Sequence, residues 1–142
     1  MIVFSFDRLL LCFILAYTIV FLLEIIHVIV KIKFFSVKPL DGDIFNDIFK
    51  KIKVWRPIYT AITFSVLGYA YNSSLIEYGL LSSLICGLIW LLLTVGLDYL
   101  LRIVLKSPCN FSVDEFYNDR YLFVILNYGL VLVSPFIGLL FL

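Results

Sequence analysis

Four apolar stretches, Leu9–Val30, Pro57–Ile76, Tyr78–Leu101 and Tyr121–Leu142, take up most of this chain. Each is close to the roughly 20 residues an α-helix needs to cross a hydrocarbon layer about 30 Å thick. Inside such a layer no water is present to satisfy a free backbone N–H or C=O, so runs of this kind must close their hydrogen bonds within themselves, as helices. The expected fold is an all-α membrane protein, with four transmembrane helices in a bundle and one domain over residues 1–142. Composition points the same way. Hydrophobic residues make up 63% and charged residues 15% of the chain, against about 25% charged in soluble proteins.

The second and third stretches are separated only by Asn72, Ser73 and Ser74 as turn-forming chemistry. A tight antiparallel hairpin is expected there, with its turn somewhere within Tyr71–Gly79. Basic residues set the expected orientation. Lys31, Lys33, Lys38, Lys50, Lys51, Lys53 and Arg56 fall between the first two stretches, Arg102, Lys106 and Arg120 between the last two, and only Arg8 on the opposite side. Basic loops stay cytoplasmic, so both longer loops are expected inside and the termini and short turn outside, in a plasma membrane. Trp55, Tyr59, Tyr99, Tyr117 and Tyr121 stand near the inner ends of their spans, as an interfacial aromatic belt does. The N-terminus has no basic region and no small-residue cleavage site, so the first stretch is expected to remain a span.

Within the first long loop, Ile44, Phe45, Ile48, Phe49 and Ile52 repeat with helical spacing. Asp41 or Asp43 can cap such a helix, and Lys50, Lys51 and Lys53 gather at its end, where they suit the helix dipole and anionic headgroups. An amphipathic helix lying in the membrane surface is expected, with docking of a partner as the alternative use of the same face. The run Asp41–Asp47 resembles a calcium loop but has Phe45 and Asn46 where an oxygen ligand and the glycine are required. In the second long loop, Ser112 and Glu115 have capping-box spacing, which fits a short helix ahead of the last span. The sequons at Asn72 and Asn110 fall at the membrane and in a cytoplasmic loop, so neither is expected to carry a glycan.

The informative residues are the polar ones inside the apolar stretches. Glu24 and Asn127 each lie about 9 Å below the inner end of their span, and Thr63 is at similar depth. Asp98 is near the inner end of the third span with Arg102 one turn further on, and His27 and Thr60 are shallower. Four helices thus offer polar groups to one layer. Gly79, Ser83, Gly87, Thr94 and Asp98 share one helical face, as do Asn127, Ser134 and Gly138, which marks these faces as packed against other helices. Pro135 should bend the last helix and free a carbonyl.

Three uses of the layer can be weighed. As an internal staple, Asp98 and Arg102 form an i, i+4 ion pair, and Glu24 is either neutral in its apolar surroundings or bonds His27 or Asn127. As a relay, Glu24, His27 and Asp98 pass a proton or cation. As a metal site, Glu24 and His27 would join Asp98, but a di-metal bundle requires Glu-x-x-His twice plus two more carboxylates, and this chain has one histidine. Cys12, Cys86 and Cys109 have no metal-ligand or disulfide spacing and are read as free thiols. No phosphate loop or nucleophile motif is present. The expectation is a non-enzymatic membrane protein without cofactor or metal. It would act as an accessory or protective subunit of a larger membrane partner, in contact with lipid and not with nucleic acid. The alternative is a homo-oligomeric small transporter coupled to protons or cations through the polar layer.

Overall fold

A computed structural model describes residues 5–34, 48, 51–75, 79–105 and 121–141, apart from the side chains of 102 and 103. The described residues are almost entirely helical. Four long helices, α1 (Phe6–Phe34), α2 (Arg56–Ser73), α3 (Leu80–Tyr99) and α4 (Tyr121–Leu139), follow one another along the chain. A single 3₁₀ turn, Lys53–Trp55, leads into α2, and α3 runs on into a π-helical turn, Leu100–Val104. Three of the four helices, α1, α3 and α4, are long and apolar enough to cross a membrane, which makes this a membrane-embedded protein. The stretch expected to be the second span forms α2, which is less apolar because it carries Arg56, Thr60, Thr63, Ser65, Asn72 and Ser73 in a short length.

Each helix is built inside-out relative to a soluble one. In α1, Leu9, Phe13, Ala16, Val20, Glu24 and Val28 recur every three or four residues and form the buried stripe. Leu11, Ile14, Leu15, Phe21, Leu22, Ile26 and Ile29 remain exposed on the other faces, as suits contact with lipid. The interior is aromatic where α1, α2 and α3 meet. Phe64 of α2 lies edge-on to Trp90 of α3, with ring centroids 5.5 Å apart, and to Phe13 of α1 at 6.1 Å. The indole Nε1 of Trp90 donates to the Leu9 carbonyl at 3.1 Å, so this large side chain brings no unsatisfied donor into the core.

Small residues decide which helices touch backbone to backbone. A Cβ on Gly68 of α2 would meet Pro135 Cα of α4 at 2.9 Å, and one on Gly138 would run into the backbone of Ser65, Gly68 and Tyr69. In the same way Gly87 of α3 lies against the Leu132 carbonyl of α4. Close approach of this kind replaces the hydrophobic drive that lipid does not supply. As a result α2 packs chiefly on α4 and on α1, and α3 packs chiefly on α4. The expected hairpin is therefore only half present. The chain turns at Ser74 and Leu75 after α2, but α2 and α3 touch only slightly, because Gly68 of α2 and Gly87 of α3 both lie against α4.

Polar side chains repair the ends and the break. Arg8 of α1 donates to the Ser74 carbonyl at the end of α2 at 3.0 Å, where a cation complements the helix dipole. Pro135 cannot donate to Val131, and Ser134 Oγ supplies the missing donor at 2.8 Å. Of the expected surface helix, Ile48, Lys51 and Ile52 are helical, and Ile48 and Ile52 are buried against Val28 and Ile25 of α1. Ile44, Phe45 and Phe49 lie outside the described residues, as does the expected short helix around Ser112 and Glu115.

The glycine contacts make a test. Gly87→Val is expected to cost at least about 3 kcal/mol, the upper range for forcing atoms into a packed contact, because the obstacle is backbone that cannot rotate away. Gly129→Ala, where a Cβ meets open space, should be neutral or gain up to about 1 kcal/mol from helix propensity. Reversible unfolding of both variants in mixed micelles measures the difference.

Candidate functional site

Glu24 takes a place in the apolar stripe of α1, one turn beyond Val20 and one turn before Val28, so its carboxylate points at the neighbouring helices rather than at lipid. It is 1% exposed. Asp98 reaches the same region from α3 and is also buried. Between them stands Arg56, the first residue of α2. Its Nη2 is 3.5 Å from Asp98 Oδ1 and its Nε is 3.9 Å from Glu24 Oε1. One guanidinium therefore faces two carboxylates from two other helices.

Asp98 gathers more partners. The Tyr17 hydroxyl of α1 donates to Oδ1 at 3.0 Å and the Tyr128 hydroxyl of α4 donates to Oδ2 at 3.1 Å. Arg56 lies over the Tyr17 ring, 5.4 Å from its centroid, which adds a cation–π contact. All four helices thus meet at one carboxylate, which accepts from both tyrosines and faces the guanidinium. Glu24 is held less directly. Among the described residues no hydrogen bond reaches its Oε1 or the Arg56 Nε, so the attraction across 3.9 Å is electrostatic. In a low-dielectric interior that attraction is large, and so is the cost of breaking it.

Asn127 and His27 lie nearby with partners of their own. Thr60 Oγ1 of α2 donates to Asn127 Oδ1 of α4 at 2.7 Å, a buried bond next to the α2–α4 contact. Nδ1 of His27 hydrogen-bonds the Tyr59 hydroxyl, and the imidazole lies edge-on to Trp55 and Tyr59 with centroids 5.9 and 6.1 Å away. His27 belongs to an aromatic group near the C-terminal end of α1 and the N-terminal end of α2, off the stripe that carries Glu24.

One sequence-based option comes out differently. A bond to His27 or Asn127 was one of two ways expected to accommodate Glu24, and the carboxylate faces Arg56 instead, because His27 and Asn127 are taken by Tyr59 and Thr60. Asp98 was also expected to pair with Arg102. The α-helix gives way to a π turn from Leu100, with Leu105 N donating to the Leu100 carbonyl, and the structure places Arg56 as a basic partner on Asp98. The side chain of Arg102 lies outside the described residues. Arg56, Tyr17 and Tyr128 are the members sequence reasoning missed as partners. Arg56 looked like one more basic residue of a cytoplasmic loop, although its place just before Pro57 put it at the first turn of a helix.

Chemically this arrangement can hold helices together and is poorly suited to bind a further cation. Arginine stays protonated, so a fixed positive charge stands where a passing cation would have to sit between the carboxylates. Among the described residues, no three His, Cys, Asp or Glu side chains gather in a way that could hold a metal. At the opposite end of the bundle interior a second polar contact is equally self-contained: Asn72 Nδ2 donates to the Pro135 carbonyl at 2.9 Å, and Ser83 Oγ donates to Asn72 Oδ1 at 3.4 Å.

Removing the cation alone should be the most damaging change. Arg56→Gln leaves two buried carboxylates unopposed and is expected to cost about 3–5 kcal/mol. Combining it with Glu24→Gln and Asp98→Asn should recover most of that loss, and Tyr128→Phe should cost about 1–2 kcal/mol. Unfolding in micelles reads all three, and a neutral triple variant no more stable than Arg56→Gln would mean that charge is not what the cluster contributes. Compared with protein-family models, with curated proteins and with solved structures, the chain matches none.

Proposed function

We propose that this is a four-span integral membrane protein of the plasma membrane that performs no catalysis and serves as an accessory or protective subunit of a larger membrane partner. In this reading α2 is the fourth span, both long loops are cytoplasmic, and the termini and the turn after Ser73 are outside. The observation that carries the reading is the position of Arg56 between Glu24 and Asp98. Glu24 and Asp98 are engaged with Arg56, so the polar layer works as an internal fastener. The exposed apolar faces of the helices remain for contacts with lipid and with the partner.

The runner-up, a homo-oligomeric transporter coupled to protons or cations, draws its support from the Tyr17–Asp98–Tyr128 chain, which is suitable material for a relay. The fixed guanidinium weighs against it.

A mild-detergent pull-down of the tagged chain from its native membrane, read by mass spectrometry and native mass, separates the two. A stoichiometric second protein is expected. A pure homo-oligomer would favour transport. In the accessory reading, Phe45→Glu with Phe49→Glu should release the partner while the chain still accumulates. Glu24→Gln and Asp98→Asn should lower the protein level; loss of activity at a normal level would instead indicate a relay.

A further inference from the structure

The polar groups of α2 are distributed in an unusual way. Its outward stripe, Ile58, Ile62 and Val66, is apolar and exposed. Its inward face holds Thr60, Thr63, Gly68 and Asn72, all buried. Two of these side chains are answered by α4: Thr60 bonds Asn127 Oδ1, and Asn72 bonds the Pro135 carbonyl. The backbone of α2 is likewise matched to α4, since Gly68 and Gly138 bring the two chains into contact. By contrast α1, α3 and α4 are apolar enough to cross a membrane on their own composition, and α2 is not among them.

Resting on the four-span reading above, we propose that α2 is a conditional span, which stays across the bilayer only while α4 covers its polar face. Alone in lipid, α2 would expose Thr60, Thr63 and Asn72 to a solvent that offers no hydrogen bonds. With α4 in place, Thr60 and Asn72 are paired, Thr63 is buried, and the stripe of Ile58, Ile62 and Val66 faces outward. Because α4 follows α2 and α3 in the chain, the second span is secured last. A competing cause would act without α4: the basic residues before α2 and after α3 favour the inner side, and this asymmetry alone could carry α2 across. The two causes predict different responses to changes confined to α4.

The experiment uses the full chain, translated in a cell-free system into membrane vesicles so that turnover plays no part. Cys12, Cys86 and Cys109 are replaced by alanine. Single reporters, Asp7→Cys and Ser73→Cys, are then probed with a membrane-impermeant maleimide before and after the vesicles are opened. Arg8 of α1 bonds the Ser74 carbonyl, so the two reporters lie at the same end and should show the same pattern of protection. Asn127→Leu with Gly138→Leu leaves α4 more apolar than before but removes the acceptor for Thr60 and blocks the approach of α2.

In that variant the fraction of Ser73→Cys that follows Asp7→Cys is expected to fall about tenfold. Making α2 itself apolar, with Thr60→Leu and Asn72→Leu, should restore it. An unchanged pattern would overturn the proposal in favour of the flanking charges. A fall that the apolar α2 does not reverse would overturn it as well, because the polar face would then not be the cause. If Ser73→Cys and Asp7→Cys already differ in the parent chain, the four-span reading fails and the conditional span fails with it.

Discussion

A guanidinium taken out of water must be surrounded, and the arrangement of the four helices at one end follows from how Arg56 is surrounded. Its partners come from α1 and α3, and the second oxygen of Asp98 is completed from α4 by Tyr128. A buried ion cluster of this sort adds little net stability against an apolar core of the same shape. What it adds is intolerance of alternatives. If any one helix rotates or slides, a charge is left without its counter-charge, at a cost of several kcal/mol. The apolar faces of these helices would accept many packings in lipid, and the cluster restricts them to one.

The rest of the interior is complementary to that constraint. Around Phe13, Phe64 and Trp90 the helices are spaced by large rings, while around Gly68, Gly87 and Gly138 they are in backbone contact. The two regimes divide the molecule. α4 is held close to α2 and α3 by glycines, and α1 packs on α2 through aromatic side chains and the Arg56 cluster. Pro135 fits the close-packed part because the Val131 carbonyl it leaves without a backbone donor is answered by Ser134 in its own helix, while its own carbonyl accepts from Asn72 across the α2 contact.

How much of this could be read in the sequence differs by level. The helical class and the membrane setting follow from the apolar stretches, and the buried faces of α3 and α4 follow from the angular clustering of Ser83, Gly87, Thr94 and Asp98 and of Asn127, Ser134 and Gly138. Depth along a helix is a matter of counting residues, so the meeting of Glu24, Asp98 and Asn127 in one end of the interior was visible. Partner choice was not. It depends on how each helix is rotated and on which pairs make contact, and those are set by a few glycines whose effect is felt only in three dimensions. Arg56 was hidden by its setting among loop lysines, and Tyr17 and Tyr128 carry no charge that would mark them as partners of Asp98. Nothing in Leu100–Val104 announces the π turn that follows α3.

The two hydrogen bonds between α2 and α4 lie near opposite ends of their contact, Thr60 with Asn127 and Asn72 with Pro135. A pair of fixed points separated along an axis removes both sliding and twisting. α2 and α4 should therefore move as a single body, with α3 following α4 through the Gly87 contact. α1 is tied to that body in the same way, near one end through Arg8 on the Ser74 carbonyl and Trp90 on the Leu9 carbonyl, and farther along through Tyr17 on Asp98 and Glu24 facing Arg56, so a push on any of the four helices should be felt by all of them.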